Sequence, residues 1–541
     1  MQLSRLGAAH TRRAAMFASI RRHWTRGALI ALLALGAGIR AHGLSDALVS
    51  FHNTRQLHCA IITRALYYDW TRAPSDRQRQ IADRASERRG RLEPPIVQNI
   101  VATGYWLSGG EHMGIARVFN ALLWLAAAFL LFRLARVLTS SAAALVAVAY
   151  FVLLPYGVVA SQSFQPDPLM VLLMVGSWLA IVHNDIKPSS SRAALAGLLS
   201  GAAIVVKPVC GPVIAALYLV LALRRRGPLR WLRSGEPWLV AVLLLAPTLL
   251  YYVPELAGGG RLRSQADGSF MPELWHKPEF WRGWWEQIEH ACGGTYVIAA
   301  AVLGLLFAPA GRTRAALWAL GVGYGAYGLA FTYHISTHDY YQLQLLPIIG
   351  LALASLACRS WRLPAPRLRP ALALICALLL VWVAYVDAQA LQTDAWPRTS
   401  TKAGRDERYV AIGALVQHST KVIFLDTNKY GGPLEFDGEV SGWLWPSGND
   451  LRRKRRQGRP PFDWRARLTE LMGQGAEYFV SSPGDELPRQ RELYWYIFER
   501  YPRISNHPRF VVFDLRHERT RESSSANDAA VSGESGQASK P

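Results

Sequence analysis

The chain has 541 residues, 51% of them hydrophobic, and its 60 Lys and Arg against 38 Asp and Glu leave a formal charge of +22. That apolar content excludes a disordered chain, which lacks the residues to build a core. The five cysteines, Cys59, Cys210, Cys292, Cys358 and Cys376, lie far apart in no CxxC or CxxH pattern, which excludes a disulfide-stapled mini-fold and supports no zinc site.

The apolar residues fall in blocks separated by basic or aromatic stretches, the pattern of an α-helical polytopic membrane protein. Eleven spans are predicted: Gly27 to Leu44, Ile115 to Leu138, Ala142 to Ala160, Leu169 to His183, Ala193 to Val206, Pro212 to Leu223, Trp238 to Val253, Thr295 to Phe307, Ala315 to Tyr333, Leu343 to Cys358 and Pro370 to Leu391. Several are shorter than the roughly 20 residues that cross a bilayer core. Basic residues mark alternate connections: Arg5, Arg12, Arg13, Arg21, Arg22 and Arg26, then Arg133 and Arg136, Lys187 and Arg192, Arg224 to Arg226 with Arg230 and Arg233, Arg312 and Arg314, and Arg359, Arg362, Arg367 and Arg369. The positive-inside rule makes that face cytoplasmic, and the alternation holds through all eleven spans. The net charge therefore needs no nucleic-acid partner.

Residues 1–26 form a basic cytoplasmic N-terminus. The first span has no small-residue cleavage site after it and is interrupted by Arg40, so it reads as an uncleaved signal anchor. Residues 27–391 make the membrane body, and its odd number of spans predicts that residues 392–517 are exported. This last stretch alternates helix and strand signals: helical Arg405 to Gln417, Trp464 to Met472 and Leu487 to Tyr501, strand-like Val422 to Leu425, Tyr478 to Val480 and Phe510 to Phe513. A small α/β domain is expected there, followed by a disordered Ser/Ala/Gly-rich tail over 518–541.

Two outer segments are longer than connectors need to be. Residues 45–113 hold an amphipathic stretch, Leu57 to Trp70, and a charged run, Ala73 to Arg91. Residues 254–294 hold Phe280, Trp281, Trp284, Trp285 and Ile288, a spacing that suits a helix in the bilayer interface.

Polar groups gather at the outer ends of the spans: Arg55 and Gln56, Glu93 before Pro94-Pro95, Asp167 in Gln165-Pro166-Asp167-Pro168, Lys207 before Pro208, and His338-Asp339-Tyr340-Tyr341-Gln342. Cations beside carboxylates at one boundary suit phosphate binding combined with proton acceptance. No Walker loop, HExxH or nucleophile-elbow motif competes. An ion-coupled transporter or lipid flippase, the rival class, would place ionisable groups at mid-membrane, where nearly all these spans have none. A third class, a partner-binding module, would rest on Tyr430-Gly431-Gly432 and Gly442-Trp443-Leu444-Trp445 in the C-terminal stretch.

The order and placement of Phe51-His52-Asn53-Thr54-Arg55-Gln56, Glu93-Pro94-Pro95, Phe164-Gln165-Pro166-Asp167-Pro168, Lys207-Pro208 and His338-Asp339-Tyr340-Tyr341-Gln342-Leu343 resemble the C-type membrane glycosyltransferases over roughly residues 27–390. The branch that the chain is most similar to is the one related to protein O-mannosyltransferases and aminoarabinose transferases. The resemblance implies the GT-C fold, a polyprenyl-phosphate sugar donor, a lipid, glycan or protein acceptor, and inverting transfer on the exported side. Relatives commonly carry an acidic pair early in the first outer loop and Lys-Pro-Pro later, whereas this chain has Arg55-Gln56 and Glu93-Pro94-Pro95, as if the charges had been exchanged. Glu93 and Asp167 are therefore the expected catalytic carboxylates. Arg55, Gln56, Lys207, His338, Asp339 and Tyr340 are the expected donor-phosphate or substrate contacts. His338 and Asp339 would pair on the surface or, with a third ligand, hold a metal; no cofactor is expected, with a divalent cation as the alternative.

Overall fold

The computed structural model describes residues 23–41, 44, 51–72, 74–258, 262, 263, 266, 268–360, 406–456, 460–505 and 507–519. The chain forms two compact units: Met1–Asp46, Arg91–Gly104 and His112–Thr399 make the first, and Ala47–Gly90, Tyr105–Glu111 and Ser400–Pro541 the second. The expected span Pro370 to Leu391 and the expected disordered tail beyond residue 519 lie outside the described residues.

The first unit is helical. Five of its described helices are long and apolar enough to cross a membrane, Met113–Leu138, Asp167–Ile186, Pro208–Arg226, Gly235–Ala257 and Asp339–Ser360, and two bent helix pairs bring the number to as many as seven. Ser190–Val206 is apolar but shorter. The unit is thus a multi-pass membrane body.

One helix pair shows how sequence dictates packing. The helix Ser190–Val206 carries Gly197 and Gly201 one turn apart, and both face the helix Gly235–Ala257. A Cβ on Gly197 would stand 2.9 Å from Leu243 Cβ, and one on Gly201 would overlap the Leu243 carbonyl oxygen. Small residues four apart let two backbones touch, which is how helices associate where no water drives them together. The other side of Gly235–Ala257 bares Trp238, Val242 and Leu250, the last 78% exposed, an apolar face suited only to lipid.

A second feature is the break between Ser141–Leu153 and Pro155–Gln162, which bends the chain by 59°. Pro155 has no N–H to continue the first helix, so carbonyls at its end are left over. Arg40 answers one of them: its guanidinium donates to the Val152 carbonyl at 3.0 Å, and also to the Gly36 carbonyl of its own helix at 3.1 Å and to Ser161 Oγ at 2.7 Å. The charge that interrupts the first apolar run therefore braces a broken span, as backbone at membrane depth requires. In the segment 254–294 the helix Pro278–Cys292 buries Phe280 and Trp284 and exposes Trp281 and Trp285, so its aromatics divide between core and surface.

The second unit is α/β. Its four-stranded sheet, β1 Val422–Asp426, β2 Gly442–Leu444, β3 Tyr478–Ser482 and β4 Val511–Asp514, has the order β2-β1-β3-β4. β1 runs parallel to both β2 and β3, and β4 is antiparallel to β3. Every residue of β1 and β3 is buried, as expected of central strands covered on both faces. Side chains alternate between two cores, Ile423, Leu425, Phe479 and Phe513 on one face and Val422, Phe424, Val480 and Val512 on the other. Two helices of the 45–113 segment, Asn53–Trp70 and Asp76–Arg89, belong to this unit. Arg88 and Arg89 both pair with the buried Glu435, and Arg64 pairs with Glu111 at 3.0 Å while donating to the Phe436 carbonyl at 2.6 Å.

Candidate active site

Asp167 and Lys207 meet in the first unit. Asp167 opens the helix Asp167–Ile186, where the flanking Pro166 and Pro168 fix the chain as it turns into the helix. Lys207 is the C-cap of Ser190–Val206, the residue at which that helix gives way to the short turn Pro208–Cys210. A proline next in sequence pushes Lys207 into extended backbone, which aims its side chain away from its own helix. Its ammonium donates to both Asp167 oxygens, at 2.7 and 2.9 Å. The two side chains are only 5% and 3% exposed. Such burial is tolerable because each charge has its counter-ion within hydrogen-bonding distance.

The loop that follows Thr332–Thr337 closes over this pair. The Lys207 ammonium lies 5.0 Å from the centre of the Tyr340 ring and 5.5 Å from that of Tyr341, so a cation with one carboxylate partner also faces two aromatic rings. The loop is fixed from below: Gln342 donates to the Ile335 carbonyl at 2.9 Å and accepts from Tyr324, and Gln344 donates to the Val209 carbonyl at 3.3 Å. On the other flank Asn120 donates to the carbonyls of Ser163 and Gln165, holding the stretch that delivers Asp167.

Asp339 and His338 lie in the same loop. Asp339 meets His290 of the helix Pro278–Cys292, Oδ2 to Nε2 at 3.3 Å, and His290 in turn packs edge-on against Tyr156. His338 Nδ1 is 2.7 Å from Thr337 Oγ1, and its ring joins the cluster of His334, Tyr340 and Tyr341. Among the described residues no group of three or more His, Cys, Asp or Glu could hold a metal ion.

Glu93, half-buried just before the helix Ile96–Ser108, interacts with Tyr251 near the C-terminal end of Gly235–Ala257. The neighbouring Tyr252 donates to the Val205 carbonyl at 3.0 Å, two residues before Lys207. Glu93 thus stands by the end of the helix that carries Lys207, without a direct bond to the Asp167–Lys207 pair. Arg55 and Gln56 belong to the second unit, in the first turn of Asn53–Trp70, where Gln56 is fully buried and donates to the Phe51 carbonyl at 2.8 Å.

The neighbours that sequence reading leaves out are Asn120, Tyr156, His290 and Tyr324. None stands in a motif; each sits on a helix other than those that carry Asp167 and Lys207. His290, the one histidine of the aromatic helix Pro278–Cys292, is the one of them that carries a signal of its own.

Residues 92–252 match the model of the dolichyl-phosphate-mannose-protein mannosyltransferase family. No curated protein matches the chain in sequence. Among solved structures, ArnT from Cupriavidus metallidurans bound to undecaprenyl phosphate superposes with a TM-score of 0.55 at 17% identity, covering 90% of this chain and 98% of that one. Its apo form gives 0.54 at 16% identity over the same shares. The oligosaccharyltransferase of Archaeoglobus fulgidus gives 0.51 at 12% identity, covering 85% of this chain and 69% of that one. The chain has the C-type membrane glycosyltransferase fold.

Proposed function

We propose that the protein is a membrane glycosyltransferase that moves a sugar from a polyprenyl-phosphate carrier to a lipid, glycan or protein acceptor on the exported face, with inversion at the anomeric carbon. The observation that carries this reading is the buried Lys207–Asp167 pair under the Tyr340–Tyr341 loop, which puts a cation and a carboxylate together in a fold shared with an enzyme bound to undecaprenyl phosphate. The N-terminus is cytoplasmic and the C-terminal unit exported, an orientation supported by the alternation of basic connections.

In the proposed reaction an acceptor hydroxyl or amine attacks the anomeric carbon as the bond from that carbon to the carrier phosphate breaks. The phosphate leaves with the bonding electrons, and the acceptor's proton passes to the carboxylate of Glu93 or Asp167. Lys207 neutralises the charge growing on the phosphate, with His338, Asp339 and Tyr340 as further donor contacts. Loss of one such charge-stabilising contact typically costs about 3 kcal/mol, or roughly 10²-fold or more in rate. No cofactor enters this scheme; a divalent cation, were one to take part, would supply further positive charge against the leaving phosphate.

The test is a donor screen: purified protein in detergent with several polyprenyl-phosphate sugars, reading released polyprenyl phosphate and, in sealed vesicles, lipid translocation. Release that depends on Asp167 or Glu93 supports the transferase; translocation without release overturns it in favour of a flippase.

A further inference from the structure

The second unit holds a cleft of about 340 Å³ that the transfer scheme does not use. It opens at the carboxyl ends of β1 and β2, and its walls include Asp426, Asn428, Tyr430, Ser447, Asn449 and Asp450. β1 and β2 are parallel, so their carboxyl ends lie together at one edge of the sheet. In open α/β sheets ligands bind outside the carboxyl ends of the strands. The volume lies within the roughly 300–1,000 Å³ of small-molecule sites.

Asp426 ends β1 and is only 4% exposed. Its Oδ1 accepts from the Asn428 backbone at 2.8 Å, while Oδ2 has no hydrogen-bond partner among the described residues. A buried carboxylate oxygen left unmatched is costly, and a donor arriving from the cleft would satisfy it. The loop beyond is held in an unusual shape: Lys429 and Tyr430, both with side chains, take φ of 54°, and Gly431 takes 72°. Tyr430 is 47% exposed and lines the cleft.

We propose that this cleft binds a saccharide, with Asp426 Oδ2 and the side chains of Asn449 and Asp450 hydrogen-bonding its hydroxyls and Tyr430 covering a ring face. Carboxylates and amides together match adjacent hydroxyls, each of which both donates and accepts. Among the described lining residues Asp450 and, once ionised, Asp426 set negative charge against Lys429, which disfavours an anionic ligand such as a free phosphate. The assignment gives a role to Tyr430 of the Tyr430-Gly431-Gly432 stretch.

The test is saturation-transfer NMR on the full-length protein in detergent with glucose, galactose, mannose, arabinose, xylose and N-acetylglucosamine. At least one sugar should show transfer, with affinity falling tenfold or more in Asp426→Asn and in Asn449→Ala, and unchanged in Glu93→Gln. Asn449 is exposed, so its variant keeps the test decisive where Asp426→Asn fails to fold. Transfer from none of the sugars, transfer undiminished in Asn449→Ala, or transfer lost only in Glu93→Gln overturns the proposal. Binding is read without turnover, so a protein inactive in sugar transfer still answers the question.

Discussion

Lys207 grips both carboxylate oxygens of Asp167 from 40 positions away in sequence, and both side chains are buried. Removing either partner leaves the other charge buried and unmatched, which costs about 3–5 kcal/mol. Lys207→Met and Asp167→Asn should each lower the melting temperature of the purified protein, and the double variant should lose far less than the sum of the two. Both single variants should also lose roughly 10²-fold or more in sugar transfer. Additive losses in the double-mutant cycle would show that the pair is not coupled.

Glu93 is only half-buried and is not bonded to that pair, so its loss should be felt in chemistry more than in stability. Glu93→Gln keeps the shape and removes the basic group. If Glu93 takes the acceptor's proton, kcat should fall roughly 10²- to 10⁴-fold with the KM for donor and the melting temperature nearly unchanged. An unchanged kcat assigns the proton to Asp167.

Asp426 makes the second unit sensitive to pH. Burial is the main cause that pushes its pKa from 3.8 up to about 7, only partly offset by the Asn428 N–H, Arg408, Tyr409 and Arg89. The folded unit therefore favours the protonated acid, so this contribution to stability is complete below about pH 4 and is lost as pH rises through 7. The loss amounts to about 4 kcal/mol. Chemical denaturation at pH 5 and pH 8 should show the second unit weaker at the higher pH, and Asp426→Asn should flatten the difference. Asp514, held below the usual carboxylate range by hydrogen bonds from Arg516, titrates beneath this window and does not mask it.

Much of this architecture is legible in the sequence because period and composition report burial directly. The apolar runs of Met113–Leu138 and Asp167–Ile186, the strands around Val422 and Tyr478, and the helix at Trp464 all lie where periodicity puts them. The three-residue strand β2 is too short to show a period, and the helix Gly448–Arg456 is too polar, with no apolar stripe to mark it. Prolines next to Asp167 and Lys207 make both stand out at helix ends, yet nothing in the sequence says that they touch. That contact, like the pairing of Asp339 with His290, follows from helix packing across long sequence separations.

Gly201 offers a way to disturb the site without touching it. Any side chain there meets the Leu243 backbone carbonyl, which cannot swing aside as a flexible side chain would. Gly201→Leu must therefore push the helix Ser190–Val206 off its neighbour Gly235–Ala257, an overpacking that costs about 1–3 kcal/mol. That helix ends on Lys207, so the displacement is carried to the ammonium's grip on Asp167. Gly201→Leu should lower both the melting temperature and sugar transfer. Gly38→Ala, at a helical position with open space around it, is the matched control and should leave both intact or raise stability slightly, since Ala is favoured over Gly in a helix by about 1 kcal/mol. Equal behaviour of the two variants would mean that the close approach of these helices does not hold Lys207 in place.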